Sequence, residues 1–114
     1  MRTMLNTRQM GDVTVIDVSG RITLAEGSSI IRDELRALRA KGNKKVLLNL
    51  GAVISIDSSG IGELVSGYTN MAIAGGSMKL LNPTKRVKDL LQMTHVYNLF
   101  DVHEDEDHAV QSFA

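Results

Sequence analysis

The chain contains no cysteine, which excludes disulfides, thiolate catalysis and cysteine-ligated metal sites together. It has one proline, no tryptophan, two tyrosines and two phenylalanines, so there is little aromatic surface on which nucleic-acid bases could stack. Neither sign of charge is in excess: 13 Lys plus Arg balance 13 Asp plus Glu, for a formal net charge of zero. The basic surplus that makes nucleic acid a default partner is missing. No apolar run reaches the roughly 20 residues that cross a bilayer, and the stretch from Met1 to Thr7 has no apolar core of signal-peptide length. The expectation is a cytoplasmic protein with no membrane partner and no direct nucleic-acid partner. What is present is an ordinary globular balance, 43% apolar and 23% charged over 114 residues. That length suits one domain, spanning 1–114, with one core.

Thr3 to Gln9 and Val13 to Val18 read as strands joined by a turn at Gly11-Asp12, a hairpin pattern in which the second strand is apolar on much of both faces. Thr23 with Glu26 three residues on fits a capping box, and predicts a helix from about Leu24 to Lys41. Its apolar face carries Ile31, Leu35 and Leu38, and another face carries Arg32, Arg36 and Arg39. Gly42-Asn43 stops it. Lys45 to Leu50 reads as a buried strand, and Val53 to Ile56 continues the apolar run. Gly60 to Ala74 predicts a second helix, with Ile61, Leu64, Val65, Tyr68, Met71 and Ala72 in one stripe. Ser77 to Leu81 is a further strand. Asn82-Pro83 reads as a cap followed by proline at the first helical position, before a helix with Val87, Leu90 and Leu91 inward. Val96 to Val102 holds a last short strand, and Asp105 to Phe113 a final helix. The order β-β-α-β-α-β-α-β-α argues for the α/β class, with parallel pairing after the hairpin.

Asp57-Ser58-Ser59-Gly60 is the segment with most chemical content. It follows an apolar strand and opens a helix, where backbone N–H groups and the helix dipole favour negative charge. Ser58 as an elbow nucleophile needs glycine two residues earlier, and Ile56 stands there. The three histidines, His95, His103 and His108, all lie near the C-terminus, and nothing in the sequence brings one to Ser58. Gly60-Ile61-Gly62 begins like a dinucleotide fingerprint, but Val65 replaces the third glycine and no phosphate-loop lysine follows. His103 and His108 are five apart, not the three or four that share a helix face. Asp101 and Glu104 to Asp107 read as a solvated helix start, without a calcium-loop pattern. Lys79, Lys85, Arg86 and Lys88 read as a solvated face. The chain is therefore expected to be no enzyme and to hold no metal and no cofactor. Gly60, Gly62 and Gly67 each cost about 0.5–1 kcal/mol in a helix. Either close packing on the sheet or clearance for a partner would account for them. A phosphate on Ser58 or Ser59 would add about −1.5 to −2 charges beside Asp57. The fold tolerates that at a helix start, but a tight interface over the same spot does not.

With Gly20-Arg21-Ile22, Lys45-Val46-Leu47-Leu48-Asn49-Leu50, Ile56-Asp57-Ser58-Ser59-Gly60-Ile61-Gly62, Gly75 to Leu80 and Val87 to Leu91, nearly the whole chain resembles a STAS domain of the bacterial anti-sigma factor antagonist family. The resemblance implies a small mixed sheet with helices packed against it, and a partner-switching role in transcription regulation. An unphosphorylated antagonist binds an anti-sigma factor that is also a serine kinase, and a sigma factor is released. The kinase phosphorylates the antagonist, and a PP2C-type phosphatase resets it. The implied phosphoacceptor is Ser58, with Asp57 as its acidic neighbour. The implied partner-binding set is Thr23, Asp57, Ser59, Gly60, Ile61, Gly62 and Glu63. ATP belongs to the kinase, so no cofactor is implied here, and a monomer is expected. Thr23 departs from the family pattern, which often has aspartate there; it removes a negative charge near Ser58. The alternatives are a docking subunit of a stress-signalling scaffold or lipid-transport complex, without regular phosphorylation, and a small esterase built on Ser58.

Overall fold

β1 (Met4–Met10) and β2 (Val13–Ile22) pair antiparallel around a turn whose Gly11 has φ 64°, the left-handed region that glycine enters freely. In the computed structural model, which describes residues 2–114, β2 pairs in parallel with β3 (Lys45–Ile56). β3 pairs in parallel with β4 (Ser77–Leu81), and β4 with a two-residue β5 (Val102–His103). The result is one mixed five-stranded sheet in the order β1-β2-β3-β4-β5. Each parallel pair is joined through a helix: α1 (Ser28–Ala40), α2 (Ser58–Ile73) and α3 (Lys85–Met93), with α4 (Glu106–Gln111) following β5.

One core lies between the sheet and α1, α2 and α3. It joins Ile16, Leu48, Leu50 and Leu80 of the strands to Ile31, Leu35, Leu64, Met71, Val87 and Leu91 of the helices. A smaller cluster on the other face sets Val13, Val15, Leu47 and Leu81 against Ala109 and Phe113. This is why β2 is apolar on both faces: Val13 to Ile16 are all buried. Arg8 of β1 ties α4 to the sheet, with Nε donating to Asp17 Oδ2 at 2.7 Å and Nη1 donating to Glu106 Oε2 at 2.9 Å.

Several element boundaries differ from the sequence expectation. β2 runs four residues beyond Val18, and β3 continues to Ile56 because Val53 and Ile56 are buried with Leu50. α1 starts at Ser28, not Leu24. Thr23 N donates to Glu26 O at 2.6 Å and Glu26 N to Thr23 Oγ1 at 3.1 Å, so the pair closes a turn instead of capping a helix. α2 begins two residues earlier than Gly60, at Ser58, and Ala72 lies outside its buried stripe, exposed. Asn82 is not a cap: it has φ 54°, and Thr84 caps α3, which leaves buried Pro83 ahead of the helix. Val96 to Val102 is not one strand. A 3-10 turn at Tyr97–Leu99 leads to buried Phe100, which packs edge-on to Tyr68 at 5.5 Å between ring centres. α4 is shorter than expected, with Asp105 as its cap.

Candidate functional site

The parallel ends of β2 and β3 bring Ile22 beside Ile56. Asp57 N then donates to the Ile22 carbonyl at 3.3 Å, and α2 begins one residue later. A Cβ on Gly60 would collide with that same carbonyl oxygen and with the Ile56 side chain. The glycine lets the first turn of α2 sit on the end of the sheet. Its missing side chain makes room for the protein's own backbone.

Asp57 joins two segments. Oδ1 accepts from Gly60 N at 3.0 Å, capping α2, and Oδ2 accepts from Leu24 N at 3.0 Å. The turn over residues 23–26 is thereby held against the helix start. The N–H of Leu24, then that of Gly60, stabilises the carboxylate and holds its pKa below the usual value. Because the folded pKa is depressed, this contribution is complete above the ordinary carboxylate range. It is lost as pH falls through the depressed value. Asp57→Ala should cost about 1 kcal/mol for the cap alone, and should speed amide exchange at both Leu24 and Gly60. Slowed exchange at Leu24 surviving in that variant would refute the tether. Acidification of the wild type should loosen the same two amides together.

The two serines are not equivalent. Ser59 is half-buried, and its hydroxyl donates to Ser28 Oγ, a buried side chain of α1, at 2.9 Å. Ser58 is exposed, and among the described residues its hydroxyl has no hydrogen-bond partner. Gly62 is open, with nothing within 4 Å of where a Cβ would lie. Glu63 sits 3.6 Å from Arg32 of α1. Gly60 and Ile61 differ from the expected surface role: both are buried, and Ile61 belongs to the main core. Thr23, Asp57, Ser58, Ser59, Gly62 and Glu63 retain exposure around the start of α2.

Sequence reasoning missed Leu24. It is 81% exposed and its N–H bonds Asp57; assigning it to a helical first turn hid its place at the tip of a turn. Beside Ile56, a groove of about 640 Å³ is lined by Ser55, Arg86, Leu90 and Met93, and Met93 is 75% exposed. Leu24 is the exposed apolar side chain on the turn that Asp57 holds next to Ser58.

No hydrogen bond joins a histidine to Ser58 among the described residues. His103 lies on β5, with Nε2 at 3.0 Å from Asp101, and His108 lies on α4. Among the described residues, no histidine is therefore placed to serve as a general base at Ser58. Among the described residues, no group of His, Cys, Asp and Glu could hold a metal ion, and no helix is long and apolar enough to cross a membrane. The basic cluster near α3 is mostly paired: Lys79 with Asp101 at 3.2 Å, Lys85 with Asp89 at 2.8 Å and Lys88 with Glu104 at 3.5 Å.

The STAS domain family matches residues 4–109. A Thermotoga neapolitana protein, provisionally named an anti-sigma factor antagonist, is 31% identical over 71 residues, which span 62% of this chain and 63% of that protein. Among solved structures, a Thermotoga maritima protein with the same provisional name superposes with a TM-score of 0.88 at 20% identity, covering 96% of this chain and 93% of its own. The anti-sigma factor antagonist SpoIIAA in its unphosphorylated form gives 0.81 at 19% identity, covering 96% and 95%. The Bacillus cell-fate determinant SpoIIAA in its phosphorylated form gives 0.75 at 18% identity, covering 97% and 100%. At these identities the superpositions establish the shared fold.

Proposed function

The chain belongs to the STAS domain family, and from that premise we propose that it is an anti-sigma factor antagonist that works by partner switching. Unphosphorylated, it binds an anti-sigma factor that is also a serine kinase, so that a sigma factor is released. Phosphorylation of Ser58 ends the complex, and a PP2C-type phosphatase restores it. The chain acts in the cytoplasm as a monomer, is not itself an enzyme, and leaves ATP to the kinase.

The observation that carries this reading is the difference between the two serines. Ser58 offers a free, exposed hydroxyl at the first position of α2, whereas the Ser59 hydroxyl is engaged with Ser28. A kinase needs the acceptor oxygen to leave the protein surface, and Ser58 can do so without breaking a hydrogen bond. The docking face consists of Thr23, Asp57, Ser59, Gly62 and Glu63, with Leu24 as its apolar contact. Thr23 contributes no charge, and its hydroxyl is held by the Glu26 turn. Asp57 is thus the carboxylate that abuts Ser58 directly, and it serves the fold as a cap.

The test is incubation with candidate anti-sigma kinases and ATP, followed by mass mapping of the modified residue. Label is expected on Ser58. Label on Ser59 would overturn the residue assignment. Label on neither serine, across all cognate kinases, would replace the switch with a docking role that needs no phosphorylation.

A further inference from the structure

α1 and α2 touch closely at Gly67, where a Cβ would come 2.6 Å from Leu35 Cδ1. Alongside that contact runs a groove of about 310 Å³. One wall is α1, with Arg32, Arg36 and Arg39; the other is α2, with Glu63, Ser66 and Asn70. The arginines recur at one per turn, and they span about 10 Å at 1.5 Å per residue. Glu63 is the only acid in the lining, and it lies 3.6 Å from Arg32. Arg36 and Arg39 enter no ion pair among the described residues, whereas Arg32 is partly neutralised by Glu63 and by Asp33, 3.8 Å from its Nε, which has no acceptor at hydrogen-bond distance. The whole chain has no net charge, so this positive character is local.

We infer that the groove is a docking site for an acidic peptide segment of the protein that engages the Ser58 face. The chemistry is specific. Guanidinium groups fit carboxylates through paired N–H donors, and Ser66 and Asn70 supply neutral hydrogen-bonding groups opposite. Spacing favours a peptide over a compact polyphosphate. Arginines one turn apart match carboxylates on alternate residues of an extended strand, which lie about 6.7 Å apart. A short polyphosphate bridges at most neighbouring arginines, whereas an extended acidic strand can reach all three. The groove also continues from the Ser58 face, because Ser28 and Ser59 bond to each other one turn before Arg32 and Glu63. One segment of partner chain can therefore lie across both. Placing the segment on the same partner rests on the proposed switch; the groove's charge and shape do not.

An oligoglutamate peptide is the probe. Titrated into the full chain and followed by amide chemical shifts, it should perturb α1 from Arg32 to Arg39 and α2 from Glu63 to Asn70. Arg36→Gln with Arg39→Gln should weaken binding roughly tenfold or more. Glutamine keeps helix propensity, so the helix should survive. Lys41→Gln with Lys44→Gln removes the same charge from exposed positions outside the groove and should leave affinity unchanged. Equal loss in both double variants would mean diffuse attraction and would overturn the site. So would shifts spread over other cationic surfaces, or tripolyphosphate binding there more tightly than the peptide. Failure here while Ser58→Asp still blocks kinase binding removes the groove and leaves the switch. Peptide binding with an ineffective Ser58→Asp does the reverse.

Discussion

If the proposed switch operates, Ser58→Asp is expected to reduce binding to the anti-sigma kinase at least about a hundredfold while the fold stays intact. The two halves of that result have separate causes. Ser58 is exposed at the first position of α2, where a negative side chain gains about 0.3–1 kcal/mol from the helix N-terminus. Repulsion from Asp57 at ~6 Å in water costs under about 1 kcal/mol. The two nearly cancel, so the melting temperature should move by a few degrees at most. A docked partner changes the balance. The charge would then lie beside the turn that Asp57 tethers, whose Leu24 is 81% exposed. Covering this apolar surface with a partner removes water from the carboxylate, and an unpaired buried charge costs several kcal/mol. A loss of about 2.7 kcal/mol is already a hundredfold. Ser58→Ala should bind like the wild type and resist phosphorylation. Calorimetric titration against the kinase decides the matter: unchanged affinity for Ser58→Asp would refute the switch.

Gly60→Ala is expected to destabilise the fold by about 3 kcal/mol, at the upper end of the usual overpacking range. Gly62→Ala, two residues on, should stabilise it by about 0.5–1 kcal/mol. The local sequence makes the two look alike, since both are glycines in the first turns of one helix. Their surroundings differ. A Cβ at Gly60 strikes the Ile22 carbonyl, and neither the strand end nor the helix start can move without breaking the Asp57 N–H bond to that same oxygen. At Gly62 a Cβ meets nothing within 4 Å, so alanine only removes backbone freedom from the unfolded chain. Chemical denaturation of both variants gives the comparison directly. If Gly62→Ala also weakens kinase binding, the open space there is used by the partner. Gly60→Ala losing no stability would contradict the packing described for the start of α2.

Much of this architecture is legible in the chain. The helix stripe through Ile61, Leu64 and Met71, the hairpin turn at Gly11 and the buried strand from Lys45 all follow from periodicity and turn chemistry, which are local. Boundaries were less legible where one pattern serves two structures. Thr23 and Glu26 satisfy the spacing of a capping box and equally that of a closed turn. The turn is favoured by distant groups: Thr3 Oγ1 donates to the Arg21 carbonyl at 2.6 Å, and Gly27, at φ 96°, has no room for a Cβ against Thr3 and Arg21. Val96 to Val102 has strand-like composition, but buried Phe100 and the 3-10 turn before it set the path of the chain.

The sequence by itself determined that two hydroxyls stand at the start of a helix that follows an apolar strand, and that no cysteine is present to compete with them. Only the tertiary structure decided which hydroxyl is free. The choice depends on Ser28, 31 residues earlier in the chain, whose oxygen accepts a hydrogen bond from the Ser59 hydroxyl, while Ser58 stands in solvent. It also decided that Gly60 accommodates the protein's own Ile22 carbonyl while Gly62 stays open. Both outcomes come from atoms distant in sequence meeting at one end of the sheet, and local periodicity carries no record of such meetings.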